Sequence, residues 1–476
     1  MASDNMEALY QARLRRFVTA LNNKKPDRVP IRPFAAEFTG RHAGFTCQQL
    51  TQHYPDAFEA MLRCCKDYDW DAVPASMVYV WTGITDAASV KYYGVPGVDV
   101  PPNNGFQYRE PPEDASFMRE DEYDRLIDDP VAFLYEVWLP RATRSIAAAG
   151  EPVTFRHNVA LVTAAMAMTE YFDAFGPHAA RLRTEAGMPG AISGIFKAPF
   201  DILADKLRGY IGLTMDMQTQ PDKVLRACEA LMPHLYWVAA TTADPASQMP
   251  IGYWMHRGCV PFVRPGQFAS HYWPTVRPVI EELWRNGHQT MFYAEGSWDA
   301  HLDSFRELPD RSIVYHIDRG NPQLTHRKLH DKFALSGGVS NVTLAFGTPQ
   351  QVREEVRTLI GTIGRDGGFI MDASAIMQND TTPENMRAMV EATREFGDYD
   401  APDVLPEPPR VAPDSVTVTA GLPSGTGRRP GVSVPWEEHR AELAGPVQGS
   451  EELAKRVWEA ADANGAMFIW QMLLSF

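Results

Sequence analysis

Paired cysteines are what this sequence most plainly lacks. Its 476 residues include only Cys47, Cys64, Cys65, Cys228 and Cys259, with no CxxC among them. That odd, scattered set argues against a disulfide framework or a thiolate zinc cluster and favours a reducing cytoplasm. Positive charge is also short: 45 basic residues face 60 acidic ones, a net charge of -15. A chain so acidic has no broad electrostatic footprint for nucleic acid. No 18-residue apolar run occurs, and the opening MASDNMEALYQARLRRF has no signal-type apolar core, so neither a membrane span nor secretion is expected. Familiar chemistry motifs are missing too. GTGRRPG has neither GK[ST] nor a preceding strand, no GxGxxG follows a strand, and no GxSxG is present.

What is present is alternation. Hydrophobic residues make up 45% of the chain, enough for a large core. EALYQARLRRFVTALNNKK has helical spacing and stops at the prolines of KPDRVP, after which VPIRPF reads as a short buried strand. The helix YPDAFEAMLRCCKDYD leads into WDAVPAS, a second strand. Six further strand–helix units follow, beginning GAISGIFKAPF, MPIGYWMHRG, QTMFYAEG, SIVYHID, FALSGGVSN and GGFIMDASA. Strands alternating with helices of this length predict a parallel sheet, and eight of them close a (β/α)8 TIM barrel over residues 1–400. PVTFRHN is set aside as an extra strand-like segment. Residues 85–125, rich in Pro and Gly, read as an insertion on the barrel rim. Residues 401–449 read as a Pro/Gly-rich linker and 450–476 as a C-terminal helix packing back on the barrel or on a neighbouring subunit.

Barrel enzymes place their chemistry at the C-terminal strand ends. That rule selects Tyr79 and Trp81 after the second strand, Trp254, His256 and Arg257 on the fourth, and Tyr293 and Glu295 on the fifth. It adds His316 and Asp318 on the sixth and Asp372 and Ser374 on the eighth. An aromatic at a strand end is often core, and an Asp there often caps the next helix. The combination points further. Glu295 and His316 are expected on adjacent strands at one level, where they would hold a metal ion with Asp372, Asp318 or His256 as third ligand. His326 and His330 lie four apart on a helix face without HExxH and are expected to be solvated.

RRFVTALNNKKPDRVPIRPF, GIFKAPF, SGGVSNVTLAFGTPQQVREEVRTLI and GGFIMDASAIMQNDTTPENMRAMVEA, in that order, resemble the uroporphyrinogen decarboxylase superfamily over roughly residues 8–400. The resemblance implies a (β/α)8 barrel. Decarboxylase members carry an Asp near the end of the second strand, where this chain has Val78, and an Arg cluster of which only Arg32 is kept. A substrate with several carboxylates needs such cations, so decarboxylation is not expected. Thiol-methylating members hold zinc on His-x-Cys and a later Cys; here those positions read Tyr293-Ala-Glu295 and Ser374. A carboxylate–imidazole set is harder than a thiolate one, which argues against a thiol acceptor.

What remains resembles the O-demethylase methyltransferases, which move a methyl group from a donor to a corrinoid protein. Their zinc pattern separates its second acid and its His by twenty residues, as Glu295 and His316 are separated here. The first acid falls at Ile280, with Glu281 beside it, and is not carried over. The resemblance thus implies zinc on Glu295, His316 and Asp372, activating the ether oxygen of a small methoxylated aromatic. Tyr293 or His256 would supply a proton, Tyr79, Trp81 and Trp254 would stack the ring, and Arg257 would pair with a ring carboxylate. No DxHxxG corrinoid-binding pattern occurs in this chain, so cobalamin should arrive on a separate protein. A homodimer is expected by analogy. Two other readings stand beside this one: a methylamine or betaine demethylase using the aromatics as a cation box, and a non-catalytic barrel that binds a corrinoid protein.

Overall fold

The computed structural model describes residues 2–74, 81, 83–148, 150–403, 422 and 427–474. Its centre is a six-stranded parallel sheet in sequential order: β3 (Ile195–Lys197), β4 (Ile251–Met255), β5 (Thr290–Ala294), β6 (Ile313–Ile317), β7 (Ala334–Gly337) and β8 (Phe369–Ile370). Every residue of β4, β5 and β6 is buried, as expected of strands covered on both faces.

Two thinner segments complete the ring where the first two predicted strands fall. Ile31 makes a parallel bridge to Met371, just past β8, and its carbonyl accepts from the backbone N–H groups of Asp71 and Ala72. Val73 bridges Gly190 in parallel, shortly before β3. The architecture is therefore a (β/α)8 barrel with six laddered strands and two positions held by isolated bridges.

Helices between the strands carry the expected stop and start chemistry. Thr348 and Gln351 form a reciprocal capping box, with Pro349 in the first turn, at the head of Pro349–Leu359 between β7 and β8. The same chemistry corrects one expectation. PVTFRHN is no strand, because Thr154 caps the helix Phe155–Asp173 by accepting from the His157 N–H.

Within 85–125 an antiparallel pair forms, β1 (Tyr93–Gly94) with β2 (Gln107–Tyr108). The C-terminal helix Glu451–Leu474 buries its last turns, with Trp470 stacked on His234 at 4.9 Å and the Met472 carbonyl accepting from the Tyr92 hydroxyl. No helix among the described residues is long and apolar enough to cross a membrane.

Candidate active site

Strand register decides which side chains meet. Lys197, Trp254, Tyr293, His316 and Ser336 are successive partners across β3 to β7 and make one layer inside the barrel. Trp254 stacks on Tyr293 at 4.9 Å, and Tyr293 on His316 at 4.4 Å. Trp254, Tyr293 and His316 have no exposed surface. Two residues further along their strands, on the same face and about 7 Å higher, come His256 and Glu295.

This corrects the expected pairing. Glu295 lies two positions beyond Tyr293, the register partner of His316, so the acid and that histidine are not at one level. The neighbour of Glu295 is His256, with Nδ1 3.6 Å from Oε2. His316 is instead consumed in the core. Its Nε2 lies 3.0 Å from the Ser374 carbonyl, and its Nδ1 3.3 Å from the Ser336 hydroxyl and 3.5 Å from Arg32. Asp372 faces Arg32 at 3.3 Å and accepts from the backbone N–H groups of Phe34 and Ala373. A metal ligand needs a free lone pair, and both ring nitrogens of His316 are engaged. Glu295, His316 and Asp372 thus do not fit a zinc ion, and among the described residues they form no ligand cluster.

Charged groups beneath and around the mouth layer escape strand-end reasoning. Lys197 ends β3, and the helix after it turns through a π segment, Leu203–Leu207, that carries Asp205. Asp205 reaches Lys197 at 3.7 Å, Arg257 at 2.8 Å and His256 at 4.0 Å. Asp201 accepts from the backbone N–H groups of His256 and Arg257 and from the Tyr272 hydroxyl, which fixes the turn after β4. The signal was in the sequence: KAPFDILAD places a Lys at a strand end and two Asp four apart on the following helix.

These surroundings drive two carboxyl groups in opposite directions. Burial raises Glu295 to about 8; Lys197 opposes the rise, and Asp318, Asp205 and Asp201 add to it. Burial also works against charge on Asp205, but Lys197, His256 and Arg257 outweigh it and hold that group at about 2. Burial first, then the charge of Lys197, lowers His256 to about 3, so its imidazole is neutral. Near neutrality the mouth therefore presents a protonated Glu295, 29% exposed, beside a neutral His256 and an ionised Asp205. Two acids held so far apart in acidity are how one site supplies a proton donor and a fixed negative charge together.

The remaining candidates divide. Arg257 is engaged by Asp205 and by Glu110 of the inserted segment at 2.6 Å, with Phe262 and Tyr210 against its guanidinium, so it is not a free partner for a substrate carboxylate. Trp254 and Tyr293 floor the site; the buried Tyr293 hydroxyl has no hydrogen-bond partner among the described residues. Trp81 packs on Tyr54 and Tyr171 and donates to the Gln52 carbonyl. Tyr79 lies outside the described residues.

Residues 146–396, more than half of the chain, match the family described as Uroporphyrinogen decarboxylase (URO-D). The uroporphyrinogen decarboxylase of Methylococcus capsulatus is 26% identical over 136 residues, 27% of this chain and 36% of that protein. The one from Pseudoalteromonas translucida is 31% identical over 70 residues, 15% of this chain and 20% of that protein. The chain thus spans about a third or less of the length of these curated relatives. A solved methyltransferase from Methanosarcina mazei shares the fold, with a TM-score of 0.54 at 14% identity over 80% of this chain and 98% of that one.

Proposed function

Because this chain belongs to the uroporphyrinogen decarboxylase family, we propose that it is a methyltransferase of that superfamily. It demethylates a small methoxylated aromatic compound and passes the methyl group to the Co(I) centre of a separate corrinoid protein. The fold likeness to a methyltransferase supports this reading. So does the sequence, which lacks the arginine cluster and second-strand Asp that a decarboxylase of this family would use.

One observation carries the proposal: a largely buried carboxyl group at the mouth, Glu295, which burial raises to about 8, stands 3.6 Å from the His256 imidazole. An aryl methyl ether resists cleavage because a phenolate leaves poorly. The corrinoid supplies the nucleophile that takes the methyl group. Everything else falls to this chain. As the oxygen–methyl bond breaks, the bonding pair stays on oxygen, and Glu295 delivers its proton there. His256, whose backbone N–H donates to Asp201 and whose ring faces Asp205, orients that acid. Lys197 stands near enough to stabilise the carboxylate that results. No step runs through a zinc ion on Glu295, His316 and Asp372. An amine donor needs less acid help when it leaves, so a poised proton donor favours the ether over the methylamine or betaine reading.

The test is methyl transfer to cob(I)alamin from a panel of methoxybenzenes and methylamines. Demethylation of at least one methoxybenzene, lost by about 100-fold or more in Glu295→Gln, is the expected result. Turnover of methylamines alone would replace the ether reading. Silence across the panel, with tight binding of a corrinoid protein, would replace the enzyme with a binding barrel.

A further inference from the structure

Away from the mouth, the helix Pro322–Leu329 leaves β6 and runs back toward the other end of the barrel. His326 on it and His330 at its C-cap, four residues further on, share one face. They are half-buried rather than solvated, and their rings stack 4.1 Å apart and 15° from parallel, so one ring must turn about its Cβ–Cγ bond for both in-plane lone pairs to close on an ion. The turn between the helical segment Ile360–Gly364 and β8 brings Asp366 against them. One ligand atom from each of the three residues lies within 4.8 Å of the other two.

The hydrogen bonds suit a metal site. His330 Nδ1 lies 2.6 Å from the His326 carbonyl, so it carries the ring proton and donates, leaving the Nε2 lone pair free. Ligating histidines are commonly fixed this way, through a backbone carbonyl on the other nitrogen. His326 Nε2 is buried with no hydrogen-bond partner among the described residues and faces Asp366 Oδ2 at 3.5 Å. Ligands on a tetrahedral zinc, at bonds of about 2.0–2.1 Å, lie roughly 3.4 Å apart, so this edge already has the right length. The competing contact is weak: Arg365 Nε is 3.8 Å from the other Asp366 oxygen, on an exposed side chain.

We propose that His326, His330 and Asp366 form a zinc-binding site, with water in the open fourth position, that clips the helix after β6 to the lead-in of β8. Two imidazoles and a carboxylate are a donor set zinc accepts. A site at this end of a barrel serves stability rather than catalysis.

The test is zinc titration of the chelator-stripped full-length protein by calorimetry, with thermal melts alongside. One equivalent is expected on the wild type, with a rise in Tm on zinc addition. Both effects should vanish in His326→Ala and in His330→Ala. Asp366→Asn, an exposed change that leaves the helix packing intact, should weaken binding at least tenfold. Glu295→Gln should bind zinc as the wild type does. A wild type that binds no zinc, or histidine variants that keep the equivalent, would overturn the proposal.

Discussion

Glu295 sits among Lys197, which attracts its charge, and Asp201, Asp205 and Asp318, which repel it. Loss of hydration exceeds all of these and decides the outcome. A carboxyl group raised in the fold is a stability cost that appears only when it ionises. Folded-state stability is whole while Glu295 is protonated in both states, below its unfolded value near 4.5, and is lost as pH rises toward about 8. We therefore expect the Tm of Glu295→Gln to match wild type near pH 5 and to exceed it by a few degrees near pH 9. Equal melting temperatures across that range would place the carboxyl group in water. That Glu295 matters was legible in the sequence from its place after the fifth strand. His256 was legible too, as a candidate third ligand, but its place as the nearest neighbour of Glu295 was not. A spacing of twenty residues to His316 says nothing about height in a barrel, where two residues move a side chain by a full layer. His316 spends both nitrogens on Ser374 and on Ser336 with Arg32, contacts that only the assembled barrel creates.

Elements hold the acid in place. After Glu295 the chain turns through Gly296, whose φ of 94° side chains rarely adopt and whose N–H donates to Asp318. A Cβ there would stand 2.8 Å from the Cys259 sulfur. Gly296→Ala is expected to cost about 1–2 kcal/mol in backbone strain alone and to lower kcat by shifting the β5–β6 corner. A urea titration and a rate measurement on the one variant check both. The strand–helix alternation of β3 to β8 was readable because long apolar runs and amphipathic helices differ in period. The first two ring positions are held by isolated bridges, at Ile31 and Ala35 and at Val73, and left fainter marks. Asp205 escaped notice because it is aimed by a π turn, which has no periodic signature in the sequence.

The whole molecule adds two ends to the barrel. The inserted segment supplies Glu110, which pins Arg257 at the mouth. The C-terminal helix closes on His234 and Tyr92 through fully buried Trp470. Trp470→Ala should lower unfolding free energy by about 3–5 kcal/mol while leaving the mouth residues in place. Chemical unfolding, with KM of the surviving enzyme, checks this. The family match begins at residue 146 and takes in β3 to β8, the strands that carry Lys197, His256 and Glu295. For the proposed reaction Glu295 must arrive with its proton. The pH dependence of kcat for methyl transfer from a methoxybenzene to cob(I)alamin tests that directly. A rate that is level at neutral pH and falls above an apparent pKa near 8, with the fall absent from the residual rate of Glu295→Gln, is the predicted result. A rate that climbs through that range, or a variant that keeps the wild-type rate and profile, would contradict it.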